Sequence, residues 1–349
     1  MGTFGLVIAF APAIGPSLSG WIVDEFPWQV LFYMMLPIAV IVFAIAFFIL
    51  KNVTEQTFPR LDVLSIILSS LGSGGILFGF SFAGDAGWSS PEVVLTLLIG
   101  TLSLVAFVWR QFKLEDPFLE FRVLRDPMFA LNTVLGMTVF ISMVGGQLIL
   151  PLYMQNMNSF TAFESGLALL PGAAVMGLMS PVTGRIFDAI GAKWLSIIGF
   201  SLLAVTTFML AVLSTHTSFA YIAIVNAVRM LGISMVMMPV TTAALNQLPK
   251  RLVAHGSALN NTLRQVAGSI GTAVMVTIMS ATARDPQVCG TEGLVHGANV
   301  SFFVAAVIAV AGVVGAFFIR PDLHKKMRFS GSPSIFLLVR RLPISDLGN

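Results

Sequence analysis

The fold is decided by residues 29–50, which read QVLFYMMLPIAVIVFAIAFFIL and contain no charged side chain. A spanning α-helix needs about 20 predominantly apolar residues. Nine other apolar runs are found at residues 3–23, 61–83, 91–109, 128–150, 166–187, 194–214, 218–245, 256–282 and 298–319. These runs are about twice as long as a tilted membrane strand requires, and they lack a period-two alternation. We therefore predict an all-α integral membrane protein with about ten transmembrane helices.

The composition excludes a water-soluble globular protein. Of the 349 residues, 56% are hydrophobic and 10% are charged, whereas about 25% are charged in an average soluble domain. The net charge is only +3 and the cations sit in short loops, so we predict no nucleic-acid partner. Because Cys289 is the single cysteine, no internal disulfide can form, and no cysteine–histidine cluster suggests a metal or a cofactor.

The distribution of Lys and Arg predicts the orientation in the membrane. Ten of the 19 cations lie in alternate loops at one end of the spans, and six more lie in the tail after residue 319. The loops at the opposite end hold only Arg284, and the last two cations, Arg229 and Arg264, lie inside spans. By the positive-inside rule, both termini of this multi-pass protein face the cytoplasm of the cell membrane.

Acidic residues are absent from the interior of every predicted span. A membrane-embedded hydrolase or protease needs an acid, a base or a nucleophile at depth. We therefore predict that the protein is not an enzyme. A proton-driven transporter also needs a titrating group at depth, and these spans do not provide an acidic one.

Polar side chains inside the spans are the candidate functional residues. Arg229 lies near the middle of the eighth span, and Asn226 is placed three residues earlier on the same face. The two residues either face a water-filled cavity, or Arg229 is a structural residue bonded to backbone carbonyls.

Three further positions carry the same two interpretations. Arg264, with Asn260 nearby and Asn261 and Gln265 on its face, either lines the cavity or extends to the cytoplasmic interface. Gln147 and Tyr153, at the outer end of the fifth span, either line a polar substrate path or make ordinary interhelical and interfacial contacts.

Two glycine-containing segments predict conformational roles. Gly15, Pro16 and Gly20 indicate a bent helix that closely approaches a neighbour. Gly184 and Gly191 flank a predicted cytoplasmic turn that ends at Lys193, where each glycine would let the chain reverse. Asp188 in this segment is expected to cap the following turn or to pair with a cation.

Taken together, these segments resemble the major facilitator superfamily, in particular its fourteen-helix drug:proton antiporter branch and, within it, the lincomycin-type multidrug exporters. The similarity lies in the segment from Gly15 to Gly20, the segment 28–38, the turn 184–193, Arg229, and the segment 245–265. The resemblance implies that Gly15, Pro16 and Gly20 shape the contact between two halves, and that Gly184, Asp188, Gly191 and Lys193 latch the cytoplasmic side. It also implies that Asn226, Arg229, Asn260 and Arg264 line or brace the cavity.

The resemblance also implies a domain organisation. Residues 1–50 would be the last two helices of an N-terminal half, 51–127 an inserted helix pair with cytoplasmic loops, 128–320 a six-helix C-terminal half, and 321–349 a cytoplasmic tail. The match begins at the fifth helix of the family pattern, which implies that a four-helix segment and its proton-coupling acid would be missing from this sequence. Gln29 stands where the pattern usually has Arg, and Ala189 and Ala192 stand where it usually has basic residues.

The function that follows from the resemblance is multidrug efflux. The chain would be the C-terminal portion of a transporter that exports small amphipathic drugs in exchange for protons by alternating access. The alternative is a truncated, non-transporting membrane remnant, or a subunit that needs a separate four-helix partner.

Overall fold

The computed structural model describes residues 15–49, 62–114, 117, 119–284 and 286–319. Helical residues 15–25 form α1, and the following helices are α2 (Val30–Ile49), α3 (Val63–Ala86), α4 (Pro91–Lys113), α5 (Pro127–Met157), α6 (Ala162–Ile190), α7 (Ala192–Leu210), α8 (Phe219–Asn246), α9 (Val253–Thr282) and α10 (Pro286–Phe317). Short 3₁₀ turns at Phe121–Arg125 and Lys250–Leu252 precede α5 and α9. Within these described ranges all regular structure is helical, and nine helices are long and apolar enough to cross a membrane. The protein is therefore an all-α, multi-pass membrane protein, as its sequence predicts.

Five of the helices, α3, α4, α5, α6 and α8, begin at a side chain that accepts a hydrogen bond from one of their first N–H groups. Asp126 accepts hydrogen bonds from the backbone N–H groups of Met128 and Phe129 before α5, and Pro127 occupies the first helical position. Ser90 caps α4 in the same way, again followed by a proline, Pro91. A side-chain acceptor followed by proline is favourable because the first helical N–H has no intrahelical partner.

Most of the predicted spans agree with the helices, but their ends extend further. α5 continues to Met157 and α6 begins at Ala162, so the loop expected at 151–165 is only a short connection. The prediction of a loop at residues 283–297 is wrong, because α10 begins at Pro286. The helix bends at Gly290, where φ is 60° and ψ is −152°. Part of the first predicted span, residues 3–14, and the expected cytoplasmic tail, 321–349, lie outside the described residues.

The six helices α5–α10 form one bundle. α8 lies between α6 and α7 and also contacts α5; α5 packs on α9, and α10 closes the bundle against α5, α7 and α9. Two apolar clusters fill it. One contains Tyr153, Leu210, Ile222, Met275 and Phe302; the other contains Leu135, Phe200, Leu203, Ile233 and Val240.

The pair α3–α4 is a tightly packed hairpin beside this bundle. A Cβ at Gly75 would lie 2.9 Å from the Cα of Gly100, so the two backbones nearly touch. Small residues allow this approach, which strengthens dispersion contacts between membrane helices. The hairpin also contacts α9, which places it against the bundle.

α2 is packed differently from the rest. None of its residues is buried by the described part of the chain, although it is the most apolar of the nine spans. Its exposed aromatic side chains include Phe32, Tyr33 and Phe47. This surface is suited to lipid or to another membrane helix.

Candidate substrate pathway and conformational motifs

Arg229 is completely buried inside the six-helix bundle. Its side chain has 0% exposure, and its Nη2 donates a hydrogen bond to the carbonyl of Ser142 on α5. The guanidinium lies directly against Gly146, where an added Cβ would come 2.5 Å from Cζ. The structure therefore places Arg229 in a glycine-lined slot on α5.

Within the described ranges this slot uses little of the guanidinium's hydrogen-bonding capacity. Nε and Nη1 of Arg229 have no acceptor among the described residues, and the Ser142 hydroxyl is likewise buried without a described partner. Within the described ranges the two ion pairs are Asp62–Arg110 and Glu120–Arg122, so no described carboxylate neutralises Arg229. A buried cation without a counter-ion lowers stability, which makes stability alone a poor reason for an arginine here.

Asn226 is buried beside Arg229 but contacts a different helix. Its Nδ2 would lie 2.7 Å from a Cβ added at Gly172 of α6, and neither its Nδ2 nor its Oδ1 has a hydrogen-bond partner among the described residues. The i, i+3 spacing predicts one helix face for Asn226 and Arg229, and both residues are buried. The two side chains nevertheless contact opposite neighbours, α6 and α5.

Arg264 bridges three helices. Its Nη1 donates to Thr241 Oγ1 of α8 at 3.1 Å, and its Nη2 donates to Asn261 Oδ1 of α9 at 2.8 Å. Its Cδ lies 3.5 Å from the position of a Cβ at Gly136 on α5. The head group is thus bonded to α8 and to its own helix, which agrees better with lining or bracing than with extension toward the interface.

Asn260 lies on the bundle side of α9. Its Nδ2 donates to Thr133 Oγ1 of α5 at 3.2 Å, and its Oδ1 has no partner among the described residues. Asn261 and Gln265, by contrast, are exposed on α9. A polar, exposed stripe on a spanning helix is costly against lipid, so it is better suited to a water-filled cavity or to another protein segment.

The C-terminal part of α5 holds the two predicted substrate-path residues, Gln147 and Tyr153. Tyr153 is fully buried, and its hydroxyl donates to the carbonyl of Ser214 at 2.5 Å while it accepts from Asn158 Nδ2 at 3.3 Å. This arrangement ties α5 to the α7–α8 connection, which is an interhelical contact of the kind expected as the alternative for Tyr153. Gln147 is partly exposed.

The first glycine segment packs against α6 at two of its positions. A Cβ at Gly20 would lie 2.7 Å from the carbonyl carbon of Ala162, and one at Gly166 would lie 2.5 Å from the carbonyl oxygen of Pro16. Gly15 is exposed, with no described atom within 4 Å of an added Cβ. The close approach thus involves Pro16 and Gly20.

The second glycine segment differs from its predicted turn. α6 continues through Gly184 and Asp188 to Ile190, so only Gly191, with φ of 85°, reverses the chain. Asp188 does not cap α7, because Gly191 is its N-cap and no side-chain cap forms there. Asp188 is exposed and Lys193 lies in the first turn of α7.

Several contacts at the site were not predicted from the sequence. Arg229 contacts Ser142 and Gly146, and Asn226 contacts Gly172. Arg264 donates to Thr241, and Asn260 donates to Thr133. The only sequence signal for them is that small residues recur in spanning helices, which predicts close packing without naming the partner. Among the described residues no group of three or more His, Cys, Asp or Glu side chains could hold a metal ion.

Comparison with known proteins identifies the family. Residues 1–272 match the family profile of the Major Facilitator Superfamily. The chain belongs to this superfamily of membrane transporters. The membership predicted from its motifs is therefore confirmed.

Three relatives illustrate the similarity. The chain is 51% identical over 318 residues to the uncharacterized MFS-type transporter YcnB of Bacillus subtilis, which covers 91% of the chain and 67% of YcnB. It is 46% identical over 278 residues to YhcA, another uncharacterized MFS-type transporter of that organism, covering 80% of the chain and 52% of YhcA. It is 43% identical over 328 residues to the lincomycin resistance protein LmrB of Listeria monocytogenes, covering 92% of the chain and 70% of LmrB. The chain thus spans between about half and 70% of the length of these relatives.

Proposed function

We propose that this chain forms the C-terminal portion of a multidrug efflux transporter, which exports small amphipathic drugs by proton-coupled antiport through alternating access. The observation that carries the proposal is the buried Arg229 with its unpaired donors in the middle of the bundle. The similarity to a lincomycin resistance protein supports export of drug-like molecules. In superfamily members, substrate sites lie near the bilayer midplane between two halves, and the position of Arg229 near the middle of α8 supports such a role.

In this proposal α5–α10 are the second half, α1 and α2 end the first half, and α3–α4 are an inserted pair. Asn226, Arg229, Asn260 and Arg264 line or brace the cavity side of the second half, and Gln147 lies toward its outer end. Pro16 and Gly20 shape the contact between halves, and the α6–α7 turn with Gly191 and Lys193 belongs to the cytoplasmic latch.

The unburied surface of α2 supports a further element of the proposal. A spanning helix none of whose residues is buried by the described part of the chain is accounted for by additional first-half helices, and the relatives are longer than this chain. We therefore propose that a four-helix segment completes the first half and supplies the proton-coupling acid. Co-expression of this chain with the corresponding segment of a relative should restore efflux if that segment is required.

The role of Arg229 is tested by replacing it in the complete transporter. Arg229→Ala should abolish drug efflux while the protein still inserts into the membrane, measured as drug accumulation in cells at matched protein levels. Arg229→Lys should also lose most activity, because an ammonium lacks the planar fork that fits the slot. Arg251→Ala is the matched control, since Arg251 is an exposed cation in the 3₁₀ turn before α9. Unchanged efflux in Arg229→Ala would contradict the proposal.

Proton coupling is tested separately in inverted membrane vesicles. Drug uptake should follow an imposed pH gradient and should stop when a protonophore collapses it. If uptake continues at full rate after the pH gradient has collapsed, transport is not coupled to protons. The proposed drug efflux is not contradicted by that result.

A further inference from the structure

The N-terminus of α6 satisfies only half of its free N–H groups by itself. The first N–H groups of an α-helix have no intrahelical partner. Thr161 and Glu164 form a capping box, in which the Thr161 N–H donates to Glu164 Oε2 at 2.9 Å and the Glu164 N–H donates to Thr161 Oγ1 at 3.1 Å. The N–H groups of Ala162 and Phe163 lie between them and need acceptors from elsewhere.

Asp24, at the end of α1, supplies both of these acceptors. Ala162 N donates to Asp24 Oδ1 at 3.3 Å, and Phe163 N donates to Asp24 Oδ2 at 2.7 Å. With these two bonds, every free N–H from Thr161 to Glu164 is paired. A carboxylate at this position also interacts favourably with the positive end of the helix dipole.

The cap that Asp24 forms on the N–H groups of Ala162 and Phe163 lies at one end of the contact between α1 and α6. Further along α1, Gly20 meets the backbone of Ala162. One turn deeper, the hydroxyl of Ser17 donates to the carbonyl of Gly166 at 3.0 Å. Asp24 is exposed whereas Ser17 is only 8% exposed, so water reaches the cap before it reaches the layers beneath.

We propose that Asp24 is a latch that holds α1 on α6 and closes the protein at the end opposite its Lys- and Arg-rich loops. Opening at that end separates the carboxylate from the two N–H groups, and all the separated groups are then solvated. The latch is reversible because water replaces each lost bond, unlike a contact between buried polar groups. This inference rests on the proposed alternating access between the halves that contain α1 and α6.

Ser17 provides a reporter of opening that does not depend on transport. In a Cys289→Ser background, which removes the single native cysteine, Ser17→Cys introduces a thiol beneath the cap. Its reaction with a membrane-impermeant maleimide is measured from each side of sealed membranes in the complete protein. Asp24→Ala should raise the reaction rate from one side by about two- to thirty-fold, which is the range of carboxylate–dipole interactions expressed as an equilibrium.

Two further variants keep the test independent of folding. Ala162→Pro removes one of the two donors, and proline is well tolerated at the first helical position. It should raise labelling less than Asp24→Ala, and the double variant should show less than the product of the two effects. Glu25→Ala is the matched control, because this neighbouring exposed acid makes no hydrogen bond or ion pair with the described residues.

An unchanged labelling rate in Asp24→Ala, or an equal increase in Glu25→Ala, overturns the latch. The proposed transport function is contradicted by a different result, which is the absence of drug efflux by the unmodified protein. Faster labelling in Asp24→Ala together with no efflux by the unmodified protein supports the latch and overturns the transport proposal.

Discussion

The guanidinium of Arg229 fits its slot only because position 146 has no side chain. We expect Gly146→Ala to displace Arg229, since the added carbon would overlap its guanidinium, and overpacking of this kind costs about 1–3 kcal/mol. Efflux should fall to the level of Arg229→Ala, and the unfolding temperature of the purified protein in detergent should decrease.

Gly74→Ala is the control for this substitution. Gly74 lies inside α3 with no described atom within 4 Å of an added Cβ, and alanine in a helix interior is more stable than glycine by about 0.5–1 kcal/mol. Gly74→Ala should therefore leave efflux unchanged and stability equal or slightly raised. If Gly146→Ala behaves like Gly74→Ala, the slot does not position Arg229.

The polar residues of the interior show what a sequence can and cannot predict. Helical spacing and depth in the span were enough to predict that Asn226 and Arg229 lie in the interior. Their neighbours could not be predicted, because Ser142 and Gly172 come from distant segments and their pairing depends on how the helices pack. Asp188 shows the opposite case, in which a local capping rule failed because α6 continued past it to Ile190.

Among the helices, the α3–α4 hairpin is held together by an ion pair between the start of α3 and the end of α4. Arg110 Nε and Nη2 each donate to an Asp62 carboxylate oxygen at 3.0 Å. Ser65 Oγ donates to the same carboxylate at 2.6 Å and accepts from Gln111 Nε2 at 2.7 Å. These bonds, chiefly those from Arg110, lower the pKa of Asp62 to about 2.

The lowered pKa of Asp62 predicts a pH dependence of stability. The folded protein favours the carboxylate, so its stabilising contribution is complete above the unfolded pKa of about 3.9 and is lost as the pH falls toward 2. We expect the unfolding temperature of the parent protein to exceed that of Asp62→Asn by a constant amount at about pH 5–8. Over this range Asp62 is ionised in both the folded and the unfolded protein.

The difference should shrink below about pH 4, because protonation then removes the same charge in the parent protein. Glu25→Gln, at an exposed acid with no described bond, should show no such convergence with pH. A difference between the parent and Asp62→Asn that stays constant down to pH 3, where about nine-tenths of unperturbed Asp side chains are protonated, would mean that the ion pair does not stabilise the hairpin.

Helix ends were the least predictable elements. Hydropathy reports the part of a helix that crosses hydrocarbon, about 30 Å, whereas α5 has 31 residues and is about 46 Å long at 1.5 Å per residue. Its polar outer turns are helical because backbone hydrogen bonds continue beyond the apolar region. For α10 the sequence predicted a span only from residue 298, but Gly290 bends the chain and the helix continues on both sides.

At the scale of the whole molecule, the contacts of the inserted pair α3–α4 indicate which half of the transporter it moves with. Trp88 Nε1, in the α3–α4 turn, donates to Thr277 Oγ1 of α9 at 3.1 Å. At the other end, Phe107 of α4 lies in a buried cluster with Val123, Phe129 and Leu259. The pair is therefore attached to α5–α10 at both ends, and we expect it to move with them during alternating access.

Cross-linking tests whether two contacting helices belong to the same half, and keep their separation, or to different halves that move apart. In a Cys289→Ser background, a short bifunctional maleimide joining Trp88→Cys to Thr277→Cys should leave drug efflux near the uncross-linked level, because the two positions keep their separation. The same reagent joining Asp24→Cys to Phe163→Cys should block efflux, since it fixes α1 to α6 across the proposed latch. Loss of efflux in the first pair would mean that the inserted hairpin moves relative to α9, and its two contacts would then have to break in every transport cycle.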